Sequence, residues 1–288
     1  MTFITLLLCL GLERFLHRGN FLARFNWFEQ YVSKINDVTK NKTWAQQYFI
    51  PLILVVLPIV IPVAVVYFLS AAFIQGLLAF LIGAVVLFYC LGPINIFDTK
   101  KIYPQQWSFG QGAEKTSNRN VSNIHEDGEL SGNADKNSSA KGIHQPIFWQ
   151  ANESLFAVIF WMALLGPIAA LVYRLVERSA HIHASYPALG KSAQQIRALL
   201  DWLPVRLFSI LFALAGNFVQ TSQFCLDYLL RDVSFNRELI EKSGRIALGL
   251  DETTEFTDEN YGSALKLIDR DLILFLIIVF AVTLGVLL

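Results

Sequence analysis

From Phe49 to Phe97 the chain carries no charged residue. A helix needs ~20 apolar residues to cross a bilayer, so this run is long enough for two membrane helices joined by a tight turn. The pattern places them at Pro51 to Leu69 and Ala71 to Gly92. Pro58 and Pro62 fall inside the first, where each removes a backbone hydrogen bond and bends the helix unless neighbours compensate. Gly76 and Gly83 leave room for close helix contact in the second. A composition of 54% hydrophobic and 16% charged residues, with mean hydropathy +0.46, excludes a soluble domain of this length. The expected fold is all-α: a polytopic helical membrane protein with about four to five membrane segments plus short re-entrant or interfacial helices. The lipid bilayer is therefore its first partner. With 23 basic against 23 acidic residues the net charge is zero, so nothing in the balance attracts nucleic acid.

Five regions follow. Residues 1–48 hold a short apolar stretch, Met1 to Leu12, and a periodic one in which Phe21, Phe25, Phe28, Val32 and Ile35 alternate with Arg24, Glu29 and Lys34. The first lacks the charge order of a cleaved signal and is expected to be retained. The second is an amphipathic helix, to be placed either at the membrane interface or against the protein's own spans. Residues 49–97 are the transmembrane hairpin. Residues 98–150 are polar and read as a flexible loop, most clearly over Asp98 to Lys141. Its GQGAEKT, Gly110 to Thr116, has Glu114 where a phosphate-binding loop needs glycine, and Gly190-Lys191-Ser192 lacks the earlier glycine, so a helix start explains that tripeptide instead. Residues 151–221 contain two more apolar runs. Residues 222–288 hold two short helices, an acidic linker with five acids from Asp251 to Glu259, and a final uncharged segment from Leu272 that is expected to be a C-terminal transmembrane helix. Cys9, Cys90 and Cys225 have no CxxC spacing and build neither a disulfide framework nor a metal site. His181 and His183, two apart, are expected to be a solvated pair.

The densest signals lie in Arg197 to Gln220. Asp201 is a good N-cap and Pro204 suits a first turn, which starts a helix at Trp202. Arg206 is the only charge from Leu203 to Gly216; its stem can lie on the apolar wall while its guanidinium reaches water or Asp201. Trp202 is an interface-type aromatic. Orientation follows the basic flanks: Lys34, Lys40, Lys42, Lys100, Lys101, Lys266 and Arg270 mark cytoplasmic ends. Two topologies then stand: Leu155 to Val172 crosses outward and Leu203 to Val219 crosses back, which leaves Arg174 and Arg178 outside, or neither crosses fully and each dips into the membrane and returns.

Two stretches, FWMALLGPIAALVYRL (Phe160 to Leu175) and LLDWLPVRLFSILFALAGNF (Leu199 to Phe218), resemble the AmpE family within the wider CobD/CbiB group. The N-terminal segment ending at Glu13 and Arg14, and Leu91-Gly92-Pro93, fit more weakly. The synthase branch of that group forms an amide in cobalamin assembly and carries an acidic-Asn-Thr-Ser-Asp-Gly sequence before the FW. Here that place is WQANES, Trp149 to Ser154, which keeps an acid only at Glu153. The departure favours the AmpE branch. The resemblance implies a multi-pass protein of the bacterial inner membrane that modulates β-lactamase expression and antibiotic response by sensing or relaying cell-wall status. It implies no catalytic residues, no metal and no defined cofactor. Implied partners are a muropeptide, a nucleotide or a partner membrane protein. The residues it singles out for ligand binding or helix bracing are Glu153, Gly166, Pro167, Tyr173, Arg174, Asp201, Trp202, Pro204 and Arg206.

Overall fold

The computed structural model describes residues 26–39, 49–73, 77–91, 147–182, 185–251, 254 and 257–287. Met1 to Leu12, Phe21, Phe25, Gly76, His183 and the polar loop with its GQGAEKT lie outside the described residues. All regular structure described is helical: α1 (Asn26–Thr39), α2 (Ile50–Phe73), α3 (Leu77–Cys90), α4 (Ile147–Ala151), a π-helical turn (Asn152–Phe156), α5 (Ala157–Leu165), α6 (Pro167–His181), α7 (Pro187–Ala215), α8 (Phe218–Tyr228), a short 3-10 turn (Val233–Phe235), α9 (Asn236–Ala247) and α10 (Asp258–Leu287).

Among the described residues three helical stretches are long and apolar enough to cross a membrane: Ile50–Ser70, Ile147–Leu165 and Pro187–Ala215. Ala79–Cys90 is a shorter apolar helix. The chain is an all-α membrane protein. The outward row Ile53, Leu57, Ile61 and Val65 of α2 is exposed, as suits a helix whose solvent is lipid. Helix α1, by contrast, buries Phe28 and Val32, and the Tyr31 hydroxyl donates to the Val55 carbonyl at 3.4 Å. Its apolar face therefore packs on the protein itself.

Two apolar stretches that look continuous in sequence, Leu155 to Val172 and Leu203 to Val219, fold back on themselves. Leu155 to Val172 breaks at Gly166, whose φ of 87° is a conformation only glycine adopts without strain, and Pro167 restarts the chain as α6 with its missing N–H at a position that needs none. The two arms meet again lower down, where Arg174 Nη1 donates to the Glu153 carbonyl at 3.3 Å. The second fold is at Gly216. A Cβ there would stand 2.4 Å from the Ala247 carbonyl oxygen, so glycine lets the end of α7 press against α9, and Asn217 N–H donates to that same oxygen at 3.0 Å. Helix α8 then returns along α7, bringing Cys225 Sγ to the Ser209 carbonyl at 3.4 Å.

Aromatic rings fill the space between these hairpins. Phe156 stacks on Phe208 with centroids 4.1 Å apart, and Phe148 meets Phe212 edge-on at 5.1 Å. Gly244 of α9 makes the seat for Phe148, because a Cβ would lie 2.5 Å from its ring. Helix α10 adds Phe275 against Phe208 at 5.2 Å.

The helix over the central motif differs from its expected form. Helix α7 begins at Pro187, not at Trp202, and Gly190 is already inside its first turns. Asp201 is thus an interior residue rather than an N-cap, and Pro204 is an interior proline. Tertiary packing overrides the local start signal: Asp201 has been drawn into partners on other helices, as set out below, so its carboxylate is not free to cap the backbone.

Candidate functional site

The site is built where α6, α7 and the π-helical turn meet. Widening one turn of helix to a π geometry at Asn152–Phe156 changes the angular phase of the residues there, and such turns occur frequently at functional places. Asn152 and Glu153 project from it toward α6 and α7. Asp201, fully buried at 0% exposure, accepts from Tyr173 Oη at 2.7 Å and Asn152 Nδ2 at 3.1 Å on one oxygen, and from Arg197 Nε at 3.3 Å on the other. Arg197, one turn earlier on α7, also pairs with Glu153. On α6, Arg174 Nη1 donates to Glu177 Oε2 at 3.1 Å, and Arg178 Nε lies 3.5 Å from the same oxygen.

His181 closes the group. Its Nε2 stands 2.9 Å from Glu177 Oε1 and 3.8 Å from Glu153 Oε2, and its side chain is 49% exposed, so it forms the open edge of a cluster whose other members are buried or half-buried. The expected solvated bystander is instead the link between two carboxylates on different elements. Three carboxylates (Glu153, Glu177, Asp201) face three guanidinium groups (Arg174, Arg178, Arg197), a balanced network. Burial alone would raise the Glu177 carboxyl, but Arg174, the hydrogen bond from His181, and Arg178 outweigh it and hold the group well below the ordinary carboxylate range. Burial first, and then the charge of Asp201, push the Tyr173 phenol well above its usual value, so it remains a hydrogen-bond donor.

Glu153, Glu177 and His181 could together hold a metal ion, since one ligand atom from each lies within 4.8 Å of the others. Both carboxylates already serve the arginines, and an added cation would have to share them with three positive charges. The Oδ1 of Asn152, fully buried, has no hydrogen-bond partner among the described residues. That acceptor is left open beside Asp201.

Arg206 belongs elsewhere. The expected Asp201–Arg206 pair is not formed: Arg206 donates to the carbonyls of Leu229 (2.7 Å), Trp202 (3.0 Å) and Arg231 (2.6 Å) and to Asn236 Oδ1 (2.8 Å), with its guanidinium 4.3 Å above the Trp202 ring. Five residues along one helix turn two side chains to different faces, which is why a pair that is close in sequence separates in space. Of the nine sequence-selected residues, Glu153, Tyr173, Arg174 and Asp201 come together, Gly166 and Pro167 make the hairpin tip, and Trp202 and Arg206 tie α7 to the segment after α8. Pro204 is buried without a polar role.

Asn152, Glu177, Arg178, His181 and Arg197 were missed. The spacing could have shown most of them: Tyr173, Arg174, Glu177, Arg178 and His181 recur three and four apart on one helix, and Arg197 stands four before Asp201. Glu241 was also missed. It accepts from the Trp149 backbone N–H at 2.6 Å and so satisfies the start of α4 from another helix, while burial pushes its carboxyl up to about 7.

These features define a class: a helical membrane protein whose two returning hairpins enclose a charge-balanced polar network. The family model described as "Regulatory signalling modulator protein AmpE" matches residues 1–229. The chain belongs to the AmpE family. A cobalamin biosynthesis protein CobD from Stutzerimonas stutzeri (strain A1501) is 25% identical over 87 residues, which is 29% of this chain and 29% of that protein. No solved structure matches.

Proposed function

We propose that this chain is an inner-membrane modulator of β-lactamase expression and antibiotic response, and that it reads cell-wall status through a small ligand admitted at the His181 edge of the network. The observation that carries this reading is the network itself, buried among three elements yet opened to the outside by a half-exposed imidazole. Buried polar groups in membrane helices are costly, and ones that exceed the needs of bracing point to a ligand or a relay. The unfilled Asn152 acceptor supports a visitor that can donate a hydrogen bond. A muropeptide, rich in amide N–H and carboxylate groups, offers both that donor and an anion for the arginines; a nucleotide offers the anion chiefly.

Glu153→Gln, Arg197→Gln and His181→Gln in a host with inducible β-lactamase test the reading, with protein abundance measured beside induced enzyme output. The expected result is output that falls further than abundance, most clearly in His181→Gln, where little packing is lost. Output that follows abundance in all three leaves the network a brace and rejects the ligand role. The match to a CobD protein lends no weight to amide synthesis here, because Trp149 and Ala151 stand where that activity's leading acid and threonine are expected.

A further inference from the structure

Helix α10 buries a stripe made of Ala264, Leu267, Ile268, Asp271 and Phe275, spaced three or four apart. Four of the five are apolar; the other is a carboxylic acid at 0% exposure. Neither of its oxygens has a hydrogen-bond partner among the described residues. It lies where the charged turns of the helix, with Lys266, Asp269 and Arg270, give way to the uncharged run from Leu272.

The stripe packs on α7 and α4. Helix α4 (IFWQA) brings no charge. The charged groups of α7 are Lys191, Arg197, Asp201 and Arg206; Arg197 and Asp201 belong to the network, Arg206 is bound to carbonyls and Asn236, and none of the four is ion-paired with Asp271. On its own helix Glu259, Tyr261, Lys266, Asp269 and Arg270 likewise make no bond to it. One turn further on, Phe275 meets Phe208 of α7. An isolated carboxylate in such surroundings costs far more than taking up a proton, whereas a neutral acid is tolerable.

We propose that Asp271 is a proton-binding site: its carboxyl is neutral while α10 is seated on α7, and ionisation unseats the helix. The seating of α10 is then linked to pH, and because α7 also carries Arg197 and Asp201, the state of the seam bears on the network from behind. This inference stands on the burial of Asp271 and not on the ligand role proposed above.

The test uses the full-length protein in nanodiscs. Infrared difference spectra of wild type and Asp271→Asn at neutral pH are expected to show a protonated-carboxyl C=O band that only the wild type has. Melting temperature is expected to fall in the wild type relative to Asp271→Asn by about 5 °C or more between about pH 6 and about pH 9. No band difference, or parallel melting profiles, overturns the proposal. Should Asp271→Asn fail to accumulate, a hydrophobic carbodiimide decides the matter on the wild type. A protonated carboxyl adds across one C=N bond to give an O-acylisourea, which rearranges to a stable N-acylurea carrying the whole reagent mass. An adduct on Asp271 that fades as pH rises supports the site, and its absence at every pH overturns it.

Discussion

Asp201 and Arg206 are buried a turn and a half apart on the same helix, and each meets the cost of burial in a different way. Asp201 sits among ions, with Arg197 beside it and Glu153, Arg174 and Glu177 beyond, so its surroundings can rearrange by exchanging one partner for another. Arg206 is held by one carbonyl within α7, two carbonyls in the turn after α8 and one amide oxygen, all uncharged acceptors with no second cation beside them to exchange for. The first arrangement suits a site and the second suits a fastener. Oppositely charged residues near each other in a motif thus need not form a pair, and the acceptor type tells more about the role than the charge does.

The largest expected effect tests the fastener. Arg206→Met leaves the Leu229 and Arg231 carbonyls and Asn236 without their donor and is expected to cost about 3–5 kcal/mol, read as lost abundance and a lowered melting temperature. Adding Asp201→Asn should give no rescue. A double-mutant cycle for these two is expected to show coupling under about 0.5 kcal/mol, and a coupling above about 1 kcal/mol would merge the two regions into one.

The network should behave in the opposite way. Glu153→Gln and Arg197→Met are each expected to cost about 1–3 kcal/mol, whereas the double variant should cost less than their sum, because no unpaired charge is left between them. Strict additivity in thermal unfolding would show that the pair formed by these residues carries no energy of its own.

A pH series separates the regions with less change to the molecule. Glu177 is held below its ordinary value of 4.5, so the unfolded chain binds the proton more tightly. Its contribution is therefore present above about pH 4.5 and lost as pH falls below it, and Glu177→Gln should flatten that acid limb of stability. Glu241 is raised from 4.5 to about 7, so its contribution runs the other way, being present at low pH and lost as pH rises through that window. The Arg206 fastener, with neutral acceptors, should show neither trend. The smallest effect is expected of Tyr173→Phe, which removes one donor to Asp201 at a cost of about 1 kcal/mol while Asn152 and Arg197 remain. A loss as large as that of Arg206→Met would mean that the network is as rigid as the fastener.

Much of the architecture was legible because lipid imposes a simple rule. A span must satisfy its backbone internally and present apolar side chains, so a 49-residue run without charge announces helices whatever surrounds it. The break at Gly166-Pro167 has an equally local cause, since glycine allows the positive φ and proline starts a helix well, but the apolar run from Leu155 to Val172 hides it. Three of the network's residues, Tyr173, Arg174 and Asp201, stood inside the family-like stretches. The helix start at Trp202 was misread: Asp201 followed by Pro204 has the local form of a cap and first turn, and nothing nearby in sequence reveals that Tyr173 and Asn152 hold the carboxylate.

By itself, then, the sequence determined the class and the apolar helices, which depend on residues a few positions apart. Only the tertiary structure decided which charges meet. Arg197 reaches Asp201 from four residues away, but its other two partners come from 28 and 49 residues away, and those of Arg206 from up to 30. Pairing over such distances depends on the direction in which each helix face points once the hairpins have closed. The energy that selects it is the avoidance of unpaired buried charge, which does not exist until the chain has folded.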